Sequence, residues 1–83
     1  MKKKLNIIIS GQVQGVGFRF CSYEKFVELG LTGKAENSKD GSVVVEVEGE
    51  EAPLEQFVAW AHKGPQGARV SNVSVSEAAE HTT

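Results

Sequence analysis

The sequence predicts an α+β fold: a two-layer sandwich of order βαββαβ, with two helices packed on one face of an antiparallel sheet. Three observations carry this. Leu5, Ile7 and Ile9 alternate, and so do Val43, Val45 and Val47, which is the period of half-buried strands. Leu54, Phe57, Val58 and Ala61 recur at i, i+3, i+4 and i+7, which is one face of a helix. Lys39-Asp40-Gly41 lies just ahead of the valine strand and reads as a hairpin turn. One domain, residues 1–83, is expected, because 83 residues cannot enclose two cores.

The elements follow in order. Leu5 to Ile9 reads as a strand, with Ile8 adding apolar character to its other face and so placing it centrally in the sheet. Gly11 to Gly17 holds three glycines in seven residues and reads as a shaped loop. Phe18 to Leu29 carries a stripe of Phe18, Cys21, Phe26 and Leu29 and is stopped by Gly30. Leu31 to Ser38 is a weak strand by propensity. In the second helix Pro53 suits the first turn, Glu55 is expected to complement the helix dipole, and Gly64-Pro65 ends it. The last strand holds Val73 and Val75. Val70 has the wrong parity for their face, so the strand either begins after it or contains a bulge. Strands with one apolar face and helices with one apolar stripe give a sandwich of the ferredoxin-like type. That architecture alone specifies no chemistry.

Composition excludes several classes. The chain is 40% hydrophobic and 24% charged, ordinary for a folded domain. Nine basic against 11 acidic residues, net −2, speak against nucleic acid or an anionic membrane as partner. Lys2 to Lys4 followed by Leu5 to Ile9 imitates a secretion signal, but the apolar run is broken at Asn6 and falls short of the about 7–15 residues required. No segment nears the roughly 18 apolar residues of a membrane span. A cytoplasmic monomer is expected. One cysteine, Cys21, with two histidines, His62 and His81, leaves no disulfide within the chain and no multi-cysteine metal site. Cys21 reads as packing, His62 as a helix-end charge, Trp60 as a flank of the core, and Tyr23 as lying between stripe and solvent.

The chemistry gathers in two segments. Gly11-Gln12-Val13-Gln14-Gly15-Val16-Gly17-Phe18-Arg19 joins a strand to a helix start. Glycines free the backbone N–H groups to turn inward, and the helix start adds partial positive charge, a combination suited to a tetrahedral anion. Arg19 adds a full charge and a planar fork for two phosphate oxygens. The glycine spacing is not G-x-G-x-x-G, and no Gly-Lys-Ser/Thr closes the loop, so nucleotide-binding motifs are set aside.

Residues 11–19 resemble the acylphosphatase signature G-x-V-x-G-V-x-F-R at every fixed position. Residues 33–43 resemble the family's second signature, G-x-x-x-N-x-x-D-G-x-V, throughout, and similarity runs over about residues 5–77. The resemblance implies hydrolysis of acyl phosphates without a metal or other cofactor. It implies that the loop amides from Gln14 through Gly15, Val16, Gly17 and Phe18 to Arg19, with the Arg19 guanidinium, bind the phosphoryl group. Asn37 would place the attacking water, and inorganic phosphate would be product and inhibitor. Family members often carry an aromatic residue at the position of Lys34 and a basic one at that of Glu36, and both side chains are expected to point away from Asn37. Relatives usually also continue into a final strand of F-x-I type, which the polar stretch Glu77 to Thr83 does not match, so a loose tail or a truncated chain is expected there. Rival readings of this fold are a non-catalytic anion-binding or regulatory module, an N-terminal domain of a larger carbamoyl-transfer protein, and an RNA-binding domain. The last would need exposed aromatics on the central strands.

Overall fold

In a computed structural model that describes residues 2–78, the chain runs β1 (Lys2–Gln12), α1 (Phe18–Leu29), β2 (Thr32–Asn37), β3 (Val43–Glu50), α2 (Glu51–Lys63) and β4 (Arg69–Glu77). The sheet order is β2-β3-β1-β4, every pair antiparallel, with β1 in the interior as its apolar character required. Leu5, Ile7 and Ile9 of β1 lie opposite Val47, Val45 and Val43 of β3. All six are buried, together with Ala35 of β2, under the two helices. Ile8 faces the open side of the sheet at 44% exposure. Among the described residues no helix is long and apolar enough to cross a membrane.

An aromatic chain ties the helices to one another. Phe18 and Phe26 of α1 meet Trp60 and Phe57 of α2 with ring centroids 5.3 and 5.1 Å apart, and Phe57 lies 5.5 Å from Trp60. Such pairs contribute about 0.5–1.5 kcal/mol each beyond their area burial. The consequence for the site is that the first residue of α1, Phe18, is pinned in the core at 1% exposure. Its neighbour Arg19 therefore starts from a fixed backbone.

Several sequence expectations need correction. β1 extends through Gly11 and Gln12, which pair with Val70 and Arg69, so the loop is shorter than the glycine pattern indicates. On α1 the buried positions are Phe18, Ser22 and Phe26, while Cys21 is only half-buried. Ser22 tolerates burial because its hydroxyl donates to the Phe18 carbonyl at 2.8 Å, one turn back. The acidic residue in the first turn of α2 is Glu51, not Glu55, since the helix begins directly after β3. Of the tail expected at residues 77–83, Glu77 belongs to β4 and the Ala78 N–H donates to the Lys4 carbonyl at 2.8 Å, while residues 79–83, with His81, lie outside the described residues. Trp60 packs against the core as expected, and His62 sits in the last turn of α2.

The parity conflict at Val70 resolves as a bulge. Ser10 faces Asn72 and Gly11 faces Val70, which leaves Ser71 as the extra residue on β4. The two backbones come so close here that a Cβ at Gly11 would overlap the Arg69 carbonyl oxygen and lie 2.8 Å from the Ser71 amide nitrogen. Gly11 also has φ 126°, a value that L side chains rarely adopt. Gly11→Ala is therefore expected to lower the free energy of unfolding by at least about 1–3 kcal/mol, read from urea denaturation.

Candidate active site

The chain leaves β1 at Gln12 and enters α1 at Phe18 through a short loop. Gly15 and Gly17 both sit in the left-handed region, at φ 80° and 77°, and a Cβ on either would meet nothing within 4 Å. The need for glycine there is conformational, not spatial. Gly17 is the N-cap of α1 and no side chain caps the helix, so the first N–H groups of α1 have no side-chain partner. The first turn carries no acidic residue. An anion at this end meets N–H donors and no opposing carboxylate from the helix start.

Above this loop opens a cavity of about 410 Å³. Its floor is apolar, from the fully buried Val13 and Phe18. Gly15 and Gly17 also line it, with Arg19 and Asn37 as its polar side chains and the exposed rings of Phe20 and Tyr23 beside them. Arg19 is the one charged side chain among the described lining residues. Of the six loop residues singled out from the sequence, Gly15, Gly17, Phe18 and Arg19 line this cavity. The side chains of Gln14 and Val16 do not: Val16 packs against the core, and Gln14 serves as a tie.

Arg19 is oriented by the backbone of β2. Its Nε donates to the Ala35 carbonyl at 3.1 Å. That contact uses the one donor outside the Nη pair, leaving the terminal fork for an anion. Tyr23, one turn along the same helix face, accepts the Ala35 N–H at 3.1 Å through its hydroxyl. Both backbone polar groups of a single edge-strand residue, Ala35, are thereby satisfied by α1, which joins the helix to the open edge of β2. Asn37 follows Ala35 by two positions and shares its face of the strand. Lys34 and Glu36 take the alternate positions, are exposed, and do not line the cavity.

The far side of Asn37 is held by the β2–β3 turn. Ser38 N–H donates to the Ser42 carbonyl at 2.8 Å, and Gly41 N–H to the Ser38 carbonyl at 3.1 Å. Gln14 reaches across from the loop, its Nε2 donating to the Ser38 and Ser42 carbonyls at 2.8 and 2.9 Å. These two bonds tie the loop to the turn. Tyr23 and the Gln14 side chain were not singled out for these ties in the sequence, although the four-residue step from Arg19 to Tyr23 was available as a signal.

Comparison with known proteins decides what this constellation belongs to. The Acylphosphatase family model matches residues 5–83. The chain belongs to the acylphosphatase family. An acylphosphatase of Caldanaerobacter subterraneus subsp. tengcongensis is 47% identical over 73 residues, 88% of this chain and 81% of that protein. The structure of an acylphosphatase from Coxiella burnetii superimposes with a TM-score of 0.91 at 34% identity, covering 99% of this chain and 86% of that one. A tenth of full-length HypF, crystallised in a phosphate- and nucleotide-bound form, also matches 94% of this chain at 32% identity and a TM-score of 0.87. The α+β sandwich read from the sequence is thus the acylphosphatase fold, and the chain is an enzyme of that family.

The turn beside Asn37 has its own charge. Asp40 Oδ1 accepts from the Ser42 hydroxyl at 2.6 Å and from the Ser42 N–H at 3.0 Å. These bonds favour the carboxylate and hold Asp40 below the ordinary 3.8 of an aspartate. A lowered native pKa means stability that is present above the unfolded-state value and lost as pH falls through the native one. Asp40→Asn should therefore flatten part of the acid limb below about pH 4, measured as thermal midpoint against pH. An acid limb identical to that of the unaltered chain would contradict this role.

Proposed function

We propose that this chain hydrolyses acyl phosphates to a carboxylate and inorganic phosphate by in-line attack of water on phosphorus. The observation that carries the reading is the meeting, in one cavity, of a glycine-shaped helix N-terminus, a tethered Arg19 and the Asn37 amide. The loop amides from Gln14 to Arg19 and the Arg19 fork take up the phosphoryl oxygens. The Asn37 amide accepts from or donates to the attacking water and sets its direction. A bond forms from the water oxygen to phosphorus, and the bond from phosphorus to the acyl oxygen breaks with its electron pair leaving on the carboxylate. The water proton passes to a phosphate oxygen.

This division of work matches the chemistry of the bond. A carboxylate is a good leaving group, so the transition state is loose and the protein mainly positions the reactants and neutralises charge. Neither Arg nor Asn titrates near neutral pH, so the rate should depend little on protein ionisation there. The cavity's positive charge comes from Arg19 and the helix start, and we read the reaction as independent of a metal. Inorganic phosphate, matching the same oxygens, is product and competitive inhibitor. The enzyme is read as a cytoplasmic monomer. A non-catalytic anion-binding module would use the loop and Arg19 but would have no use for Asn37 beside them.

Arg19→Ala should lose more than the roughly 10²–10³-fold typical of removing one preorganised donor. The assay is benzoyl phosphate hydrolysis in EDTA, followed by ultraviolet absorbance. Retention of over a tenth of the rate would remove Arg19 from the site. Asn37→Ala should depress kcat by a similar order while the inhibition constant for phosphate stays within a few-fold. A large loss of phosphate affinity would instead make Asn37 an anion ligand.

A further inference from the structure

β2 has little of its own to hold it. It buries one side chain, Ala35, and pairs with a strand on one side only, β3. Asn37 ends the strand, two residues beyond Ala35 and on the same face. The aim of the Asn37 amide therefore depends on what grips the other side of β2. Arg19 Nε takes the Ala35 carbonyl there, and the Tyr23 hydroxyl accepts the Ala35 N–H at 3.1 Å.

We propose that Tyr23 is a positioning residue for catalysis: its hydroxyl holds the Ala35 N–H and so keeps the end of β2, with Asn37, in register with Arg19. This rests on the water-placing role of Asn37 proposed above and names a residue that acts through it. The hydroxyl is built on the core. Its ring meets the buried Phe26 edge-on at 5.5 Å, and Phe26 meets Phe57 of α2 at 5.1 Å. The contact is directed at the N–H, because the hydroxyl oxygen lies 3.5 Å from the Ala35 carbonyl oxygen that Arg19 takes at 3.1 Å. Tyr23 stands one turn after Arg19 on α1, so the helix that carries the arginine also fixes the strand that carries Asn37. The loop amides and the Arg19 fork do not act through the hydroxyl, so phosphate binding is independent of it. On the other side of Asn37, Gln14 still bonds the Ser38 and Ser42 carbonyls, so losing the hydroxyl loosens the strand end without detaching it.

The test is Tyr23→Phe, alone and combined with Asn37→Ala, assayed with benzoyl phosphate and with inorganic phosphate as inhibitor. The substitution keeps the ring that packs on Phe26 and removes only the hydroxyl. The Ala35 amide should then exchange with solvent at least about 5-fold faster, read by NMR. Alone, Tyr23→Phe should lower kcat roughly 3- to 10-fold, the scale of one neutral hydrogen bond, with the phosphate inhibition constant within about twofold. In the Asn37→Ala background the same substitution should change kcat less than about twofold, because the group it positions is gone. Unchanged exchange at Ala35, or full kcat in Tyr23→Phe, overturns the proposal. An equal loss of kcat in both backgrounds, or a matching loss of phosphate affinity, also overturns it, since either would mark a general loosening of the site. Each of these leaves the hydrolase reading standing. A folded wild-type protein that turns over no benzoyl phosphate overturns both.

Discussion

A single residue on an edge strand, Ala35, ties the helix that carries Arg19 to the strand that carries Asn37. The Ala35 carbonyl takes the Nε of Arg19, and the Ala35 N–H is taken by the Tyr23 hydroxyl. A guanidinium on an exposed helix end has several rotamers of similar energy, and catalysis by charge placement needs one of them. The bond to Ala35 selects an arrangement in which Nε is occupied and the fork is left over. Because the acceptor belongs to β2, the same strand that carries Asn37, the two polar groups of the cavity are referenced to one piece of backbone.

Further contacts brace the elements on either side of Ala35. Phe18 is buried against Trp60, which packs the start of α1 onto α2. Gln14 bonds two carbonyls of the β2–β3 turn, which links the loop to the strand end that carries Asn37. Asp40 in turn braces the turn through Ser42. These ties are short-range and uncharged apart from Asp40, and they leave the cavity's positive charge unopposed by any side chain lining it among the described residues. The proposed reaction is consistent with this economy: a loose transition state would ask for charge and alignment, not for a base tuned near neutrality.

Much of the fold was legible because its signals are strong and local. The alternation of Val43, Val45 and Val47 and the stripe from Leu54 to Ala61 required no tertiary information, and both elements formed as expected. α1 was harder to read in detail, because apolar residues lie on both of its sides. Phe20 and Val27 face solvent while Ser22 is buried, an inversion that hydrophobicity alone would assign the other way. β2 was weak by propensity because it buries only Ala35, and its strand state comes from pairing with β3 and cover from α1, both non-local. At the site, Arg19 and Asn37 were visible through two spaced signatures. The Gln14 tie and the Tyr23 bond were not, since the first depends on partners 24 and 28 residues away and the second on one 12 residues away.

The most direct test of this account separates charge from aim. Arg19→Lys keeps the positive charge but has neither an Nε to bond Ala35 nor a planar fork for two oxygens. With kcat/KM for benzoyl phosphate as the readout, the account expects a loss of at least about 10²-fold, the size of removing a preorganised donor. A lysine variant that keeps a third or more of the activity would show that charge alone suffices, and would contradict the central role given to the bond between Arg19 and the Ala35 carbonyl.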